Sequence, residues 1–220
     1  MTHGFDKVYW EQHWQGAGAP GPTGGDPPNP YLDRELGELT PGTALDAGCG
    51  AGAEAIWLAR HGWQVTAADI SAGALARAAE RAAANGAGDR VQWVEADLGV
   101  WEPATRFDLV TTHYAHPAMP QLEFYDRIAG WVAPGGTLLV VGHLHTHGAP
   151  DDGHGHGHGH EHGHGHGHQP PAEASATAAA VTARLDPGAW EVVTAAEERR
   201  TMPGRETVLH DVVVRAVRRG

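Results

Sequence analysis

Three glycines at alternate positions mark the part of the sequence best suited to hold a ligand. They are Gly48, Gly50 and Gly52, and Asp46 lies two residues before the first of them. Glycine has no Cβ, so the backbone can approach a ligand closely. The spacing G-x-G-x-G differs from the G-x-G-x-x-G of pyrophosphate sites. An acid at position 46 disfavours a phosphate there and favours a ligand with a positive charge.

Two further acids follow the next two predicted strands. Asp69 comes twenty-one residues after Gly48, and a carboxylate at that distance can accept hydrogen bonds from both hydroxyls of a ribose. Asp97 is placed to accept a hydrogen bond from an adenine amine, with a helix cap as the alternative role. Ile70 and Leu98, which directly follow these acids, complete the predicted site. The implied ligand is a nucleoside with a positive centre and no phosphates.

Strands and helices alternate along the part of the chain that must position these residues. Strands are predicted at 43–47, 64–68, 91–94, 107–112 and 137–142, and helices at 53–61, 72–85 and 122–132. Such alternation predicts an α/β fold, a Rossmann-like three-layer sandwich with a mostly parallel sheet. A later helix is expected at 172–185. Two β-branched segments at 190–194 and 207–216 predict a C-terminal antiparallel hairpin at the sheet edge.

The N-terminal part differs in composition from this alternating region. Residues 4–15 are predicted to form a helix, residues 16–30 a Gly/Pro-rich loop or lid, and residues 31–39 a short helix. We therefore divide the chain into an N-terminal segment, 1–30, and a main domain, 31–220. Tyr9, Trp10 and Trp14 would either form an apolar lid over a substrate or cap the sheet.

Composition excludes several classes of protein. The chain has 220 residues and a formal net charge of −12, which is a poor basis for binding nucleic acid. Cys49 is the single cysteine, so a disulfide framework and a cysteine-based zinc site are excluded. The longest apolar run, 137–142, is too short to cross a membrane. With no basic-then-apolar opening either, we expect a cytoplasmic protein without a membrane partner.

Together, these residues resemble the class I S-adenosylmethionine-dependent methyltransferases. Segment 46–52 is similar to the first motif of that family, Asp69 to its ribose-binding acid, and segment 95–98 to its adenine-side motif. Segments 107–110 and 132–138 resemble its fourth-strand motif and its turn into the fifth strand. The resemblance runs from about Tyr31 to the C-terminus and implies S-adenosylmethionine as cofactor. Segment 56–65 is most similar to the bacterial thiopurine- and tellurite-resistance-type enzymes.

The resemblance directs attention to the residues after the fourth strand, where an acceptor would bind. Methyl transfer from a sulfonium is an in-line displacement, and a general base is needed only when the nucleophile carries a proton. His113 and His116 are the candidate bases, because neutral histidine accepts a proton near pH 7. The alternative is that both only shape the pocket. We expect a small-molecule acceptor. A dehydrogenase is disfavoured by the glycine spacing and by Asp46.

A histidine-rich tract at 153–168 interrupts the alternating pattern. Eleven of the 17 histidines lie between His143 and His168. The composition predicts a disordered insertion at 148–171 and metal affinity, with Ni²⁺ or Zn²⁺ as candidates. Two roles for the tract stay open: bound metal that regulates access to the site, and a passive solvated loop. A metal-binding protein on a methyltransferase-like fold is the alternative function. The predicted ligands are His154, His156, His158, His160, His162, His164, His166 and His168.

Overall fold

The computed structural model describes residues 5–15, 27–144, 175–201 and 208–220. Six helices are described: α1 Lys7–Gln15, α2 Tyr31–Leu36, α3 Ala53–Arg60, α4 Ala72–Ala84, α5 Gln121–Ala129 and α6 Ala178–Thr182. A single 3₁₀ turn, Gly88–Arg90, precedes the third strand. The strands are β1 Thr43–Ala47, β2 Gln64–Asp69, β3 Val91–Glu95, β4 Phe107–His113, β5 Val132–His143, β6 Trp190–Thr201 and β7 Val208–Arg218.

The seven strands form one mixed sheet with the order β3-β2-β1-β4-β5-β7-β6. The first five strands pair in parallel, as crossover connections through helices require. Strand β7 pairs antiparallel with both β5 and β6. The predicted fold class is confirmed, including the C-terminal hairpin at the sheet edge.

The sheet is covered on both faces, so neighbouring residues of its central strands enter different cores. Leu45 and Leu138 pack with Phe124 and Ile128 of α5 on one face. On the other face, residues such as Leu139 pack against α2 and α3. Strands buried on both faces have almost continuous apolar sequences, which is why these segments could be recognised in the sequence. The helix–sheet–helix arrangement gives the three predicted layers.

Several predicted boundaries were wrong, and local contacts explain them. The helix predicted at 122–132 ends at Ala129, because Val132 already pairs with Phe107 of β4. The helix predicted at 172–185 is described only as α6, whose N-terminus is capped by Thr177 accepting a hydrogen bond from the Ala180 N–H at 3.0 Å. Strand β6 continues to Thr201 because its pairing with β7 continues that far. The predicted insertion at 148–171 and most of the predicted loop at 16–30 lie outside the described residues.

Candidate functional site

A cavity of about 800 Å³ lies at the carboxyl ends of the parallel strands. Ligands of open α/β sheets bind at this edge. We divide its wall into two parts. The glycine-loop half consists of the loop 48–52, whose residues 48–51 line the cavity, with Asp69 and Ile70 at the end of β2 and Asp97 and Leu98 after β3. The ring half consists of residues 113–118 at the end of β4 and directly after it, His143 at the end of β5, and the hairpin residues Arg200 and Leu209.

The glycine loop requires glycine at all three positions. Gly48, Gly50 and Gly52 have φ angles of 82°, 49° and 76°, a region that other residues rarely adopt. A Cβ on Gly48 would lie 2.4 Å from the Cβ of Ala115. A Cβ on Gly52 would lie 2.8 Å from the Trp93 ring. Gly48 and Gly50 line the cavity, whereas Gly52 lies outside its wall and lets α3 begin close to the neighbouring strands.

Asp69 organises this loop through its carboxylate. Its Oδ2 accepts a hydrogen bond from the Gly50 N–H and its Oδ1 one from the Ser71 N–H, each at 2.9 Å. Burial raises the pKa of Asp69 despite the backbone N–H groups that stabilise its charge. A carboxylate has about four acceptor positions, so Asp69 keeps acceptor capacity for a ligand hydroxyl. Asp69 and Ile70 both line the cavity, as the sequence predicts.

Asp46 occupies a different place from the one the motif implies. Its side chain is 1% exposed and lies behind the cavity wall, not in it. Burial, with Glu54 and Asp69 nearby, raises its pKa well above the ordinary value. Its Oδ2 has no hydrogen-bond partner among the described residues. A buried acceptor without a partner favours a positive charge close by.

Asp97 and Leu98 line the cavity at the end of β3. Asp97 is exposed, and its Oδ1 accepts a hydrogen bond from the Gly99 N–H at 2.9 Å. Its carbonyl oxygen accepts one from the Trp101 N–H at 2.7 Å, so the residue shapes a turn. The described chain has no helix at this point, so the side chain caps a turn and not the helix that we considered. Leu98 is buried at 6% exposure.

A run of stacked rings forms the ring half. The Tyr114 and His143 rings lie 4.4 Å apart, and the His143 and His116 rings 5.7 Å apart. Phe5, from the N-terminal segment, extends the run with its ring 5.8 Å from that of His116. Tyr114 has a φ angle of 55°, a left-handed backbone that costs a non-glycine residue about 1–2 kcal/mol. Because the exposed faces of these rings are flat and largely apolar, the ring half suits a flat, partly apolar ligand.

The two candidate bases have different surroundings. His113 is buried, its Nδ1 lies 3.4 Å from the Thr111 hydroxyl, and its Nε2 has no described partner. Burial lowers the pKa of His113 to about 3, so its imidazole cannot hold a proton at neutral pH. His116 is half-buried, with its Nδ1 3.5 Å from Gln121 Oε1. Burial also lowers the pKa of His116. Between the two, the geometry favours His116.

The sequence analysis did not identify Arg200, which lines the ring half from β6. Its Nη2 donates a hydrogen bond to the Tyr114 hydroxyl at 2.8 Å and its Nε one to Asp211 Oδ2 at 2.5 Å. Asp211 is fully buried and also accepts a hydrogen bond from the Tyr31 hydroxyl at 3.0 Å. Asn29 Nδ2 donates to the same Tyr114 hydroxyl at 3.3 Å. No local motif could reveal this network, because it joins residues up to 180 positions apart.

Helix α1 lies across the cavity mouth. Trp10 and Trp14 line the cavity, whereas Tyr9 is 39% exposed and does not. A Cβ on Gly50 would lie 3.0 Å from the Trp14 ring, so Trp14 covers the glycine loop. Glu11 accepts a hydrogen bond from the Ala72 N–H at 2.8 Å, which attaches α1 to the first turn of α4. This placement favours the lid over the sheet cap.

The eight histidines predicted to bind metal lie outside the described residues. Within the described ranges, no group of three or more His, Cys, Asp or Glu side chains is arranged to hold a metal ion. None of the helices in those ranges combines the length and apolar content needed to cross a bilayer.

Comparison with known proteins supports the interpretation of this edge of the sheet. Residues 44–136 match the model of a family described as a methyltransferase domain. An uncharacterized methyltransferase of Mycobacterium tuberculosis is 40% identical over 118 residues, covering 51% of this chain and 58% of that protein. The chain spans less than two thirds of the length of the curated relatives it matches.

Solved structures show the same fold over most of the chain. One comes from work on the conversion of a disulfide bond into a thioacetal group during echinomycin biosynthesis. It is 25% identical with a TM-score of 0.63, covering 100% of this chain and 92% of that one. The N-methyltransferase NodS of Bradyrhizobium japonicum in complex with S-adenosyl-L-homocysteine has a TM-score of 0.60. It is 19% identical, covering 86% of this chain and 83% of that one.

The fold, the glycine loop and the carboxylates at the strand ends define an α/β protein with a ligand-sized cavity at the carboxyl edge of its parallel strands. The methyltransferase-domain match over residues 44–136, the relative that is 40% identical over 118 residues and the shared fold together support a class I S-adenosylmethionine-dependent methyltransferase. The predicted similarity to the thiopurine- and tellurite-resistance-type subgroup is not confirmed.

Proposed function

We propose that this chain transfers the methyl group of S-adenosylmethionine to a small-molecule acceptor. The observation that carries the proposal is the single cavity that joins the glycine-loop half to the ring half. One half suits a charged nucleoside and the other a flat acceptor, and both open into the same space. The relative from work on echinomycin biosynthesis, similar over the whole chain, also favours a small-molecule acceptor.

The glycine-loop half fits S-adenosylmethionine on its own geometry. The Gly50 backbone approaches the cavity in a conformation that a Cβ would disfavour. Asp69 would bind the ribose hydroxyls, and Asp97 and Leu98 the adenine. Behind the loop, the buried Asp46 Oδ2 has no partner among the described residues and remains available as a hydrogen-bond acceptor. When bound, S-adenosylmethionine supplies an electrophilic methyl group on a sulfonium.

The remaining tasks of the chain are to position the two substrates and to exclude water from the cavity. Trp14 covers the glycine loop, and the rings of Tyr114, His116 and His143 form the wall where an acceptor would lie. An in-line displacement needs the nucleophile, the methyl group and the sulfur held along one axis. Contacts of the cofactor with the glycine-loop half and of the acceptor with the ring half would hold them so. Where the nucleophile carries a proton, His116 Nε2 is the proposed acceptor of that proton, since the Nδ1 of the same ring faces Gln121 Oε1.

Calorimetry of cofactor binding tests the proposal. The wild-type chain should bind S-adenosylhomocysteine with micromolar affinity, and Asp69→Ala should weaken binding by about 100-fold because two charge-assisted hydrogen bonds and the loop anchor are lost. Asp89→Ala is the matched control, because Asp89 is exposed on the 3₁₀ turn and does not line the cavity. Absence of cofactor binding by the wild-type chain would reject the proposal.

The cytoplasmic location, the absence of nucleic-acid and membrane partners, and the boundary at residue 30 stay predictions from the sequence.

A further inference from the structure

Charged groups are distributed unevenly along the cavity wall. The acids that line it among the described residues are Glu54, Asp69 and Asp97, which belong to the first turn of α3 and to the glycine-loop half. The ring half contributes no acid to the described wall and one guanidinium, that of Arg200. Arg81 also lines the cavity, where its Nη1 donates to the Ala51 carbonyl oxygen at 2.7 Å. The acids of the wall therefore lie on the glycine-loop side, and the ring half presents a guanidinium that Asp211 holds from behind the wall.

Arg200 is held in place by groups that leave much of its guanidinium available. Asp211 accepts from Nε and the Tyr114 hydroxyl accepts from Nη2, which uses two of the five N–H donors. The other three donors have no partner among the described residues. The Arg200 side chain is 23% exposed, and the residue lines the cavity. A fixed guanidinium with free Nη donors is the usual arrangement for binding a carboxylate.

Resting on the proposed function, we propose that the methyl acceptor carries a carboxylate that Arg200 binds in the ring half. The flat rings of Tyr114 and His143 beside the guanidinium favour a planar body for the acceptor. Asp211 and Tyr31 act as positioning residues, since they fix the direction of the guanidinium without reaching the cavity themselves. The acceptor class is therefore a small planar organic acid.

Benzoate and benzamide are suitable probes because they share a planar ring and differ in charge. The chain is loaded with S-adenosylhomocysteine and each probe is titrated by calorimetry. We expect benzoate to bind about 10- to 100-fold more tightly than benzamide, the value for one hydrogen-bonded charged group. Arg200→Gln should bring benzoate down to the affinity of benzamide, and benzamide itself should bind unchanged.

Arg199→Gln is the matched control. Arg199 is the exposed neighbour on β6, so it points away from the cavity and its loss removes the same charge. This variant should keep the full preference for benzoate. Arg200→Gln leaves the buried Asp211 without its cationic partner, with only the Tyr31 hydroxyl still bonded to it, so Arg200→Gln/Asp211→Asn is measured as well. The double variant removes both charges together and should fold, yet still lack the preference.

The outcomes separate this inference from the proposed function. Equal affinity for the two probes, no binding of either, or a preference that survives in both Arg200 variants would overturn the carboxylate acceptor. Loss of the preference in Arg199→Gln would also overturn it, because the effect would then be one of net charge. Binding of S-adenosylhomocysteine in the same titrations tests the proposed function separately.

Discussion

The two halves of the cavity are built by different means. The glycine-loop half uses the backbone: three glycines with positive φ, and an Asp69 carboxylate bonded to two backbone N–H groups. The ring half uses side chains, and its central group is an ion pair between the half-buried Arg200 and the fully buried Asp211. A site built from positive-φ glycines tolerates almost no substitution of those residues, whereas the side chains of a network can be replaced by others. A cofactor shared by a family needs the first kind of site, and a particular acceptor needs the second.

The largest effect should come from breaking the ion pair of the ring half. Asp211→Ala leaves the Arg200 guanidinium and the Tyr31 hydroxyl without their shared acceptor, so we expect a loss of about 3–5 kcal/mol of unfolding free energy. Urea denaturation measures it. Asp126→Ala removes an exposed ion pair with Arg184 and should cost less than about 1 kcal/mol. Similar losses of unfolding free energy in the two variants would mean that burial of the aspartate does not make the Arg200 ion pair more important than the exposed one.

The next prediction concerns the point where the two halves meet. Gly48→Ala places a Cβ 2.4 Å from the Cβ of Ala115 and forces alanine into a left-handed backbone. We expect affinity for S-adenosylhomocysteine to fall by about 100-fold, since strain and overpacking together cost several kcal/mol. Gly135→Ala is the control, because Gly135 has a φ of 78° with nothing within 4 Å of its Cβ position. If Gly48→Ala bound S-adenosylhomocysteine as tightly as the wild-type chain, the glycine loop would not be part of the cofactor site.

Acid should destabilise the chain through the ring half. Burial lowers the pKa of His113 to about 3, so below pH 6.5 the unfolded chain takes up a proton that the folded chain does not. This lowers stability as the pH falls, by about 2 kcal/mol between pH 6.5 and 5. His113→Asn should reduce that loss in urea denaturation curves, while His61→Asn, at an exposed site, should leave it unchanged. If the unfolding free energy fell equally with pH in both variants, the acid-induced loss could not be assigned to His113.

Substitutions of two tryptophans of α1 should affect the two halves of the cavity separately, with smaller effects than those predicted above. Trp10 stacks with Phe5, which contacts His116, whereas Trp14 covers Gly50. Trp10→Ala should raise the acceptor KM several-fold, and Trp14→Ala the cofactor KM, since an aromatic contact contributes about 0.5–1.5 kcal/mol. Steady-state kinetics with each substrate varied in turn measures both. If each variant affected both constants equally, α1 would not act as a lid with two distinct contacts.

The smallest effect on the cavity should come from the histidine-rich tract. Deletion of residues 153–168 should leave cofactor affinity within about twofold, because composition predicts that the tract adds nothing to the core. It should abolish tight Ni²⁺ or Zn²⁺ binding and any inhibition of turnover by these metals. Metal inhibition that persists after the deletion would show that the tract has no part in it.

The sequence was informative where contacts are local. The glycines, Asp69 and Asp97 could be placed because each follows a strand whose apolar pattern is clear. The parallel sheet followed from the same alternation. Asp46 and Gly52 were assigned to ligand contact although they support the loop from behind, since a motif does not distinguish the wall of a cavity from its support. Arg200 was invisible because only the β6–β7 register brings it to Tyr114 and Asp211.

The left-handed backbone of Tyr114 costs about 1–2 kcal/mol, and the contacts of the side chain offset that strain. Its hydroxyl accepts hydrogen bonds from Arg200 and Asn29, and its ring stacks on His143. A glycine at this position would relieve the strain but lose all of these contacts, so the substitution should lower the melting temperature. Engineering that varies position 114 to change the acceptor should therefore begin from a variant stabilised elsewhere in the chain.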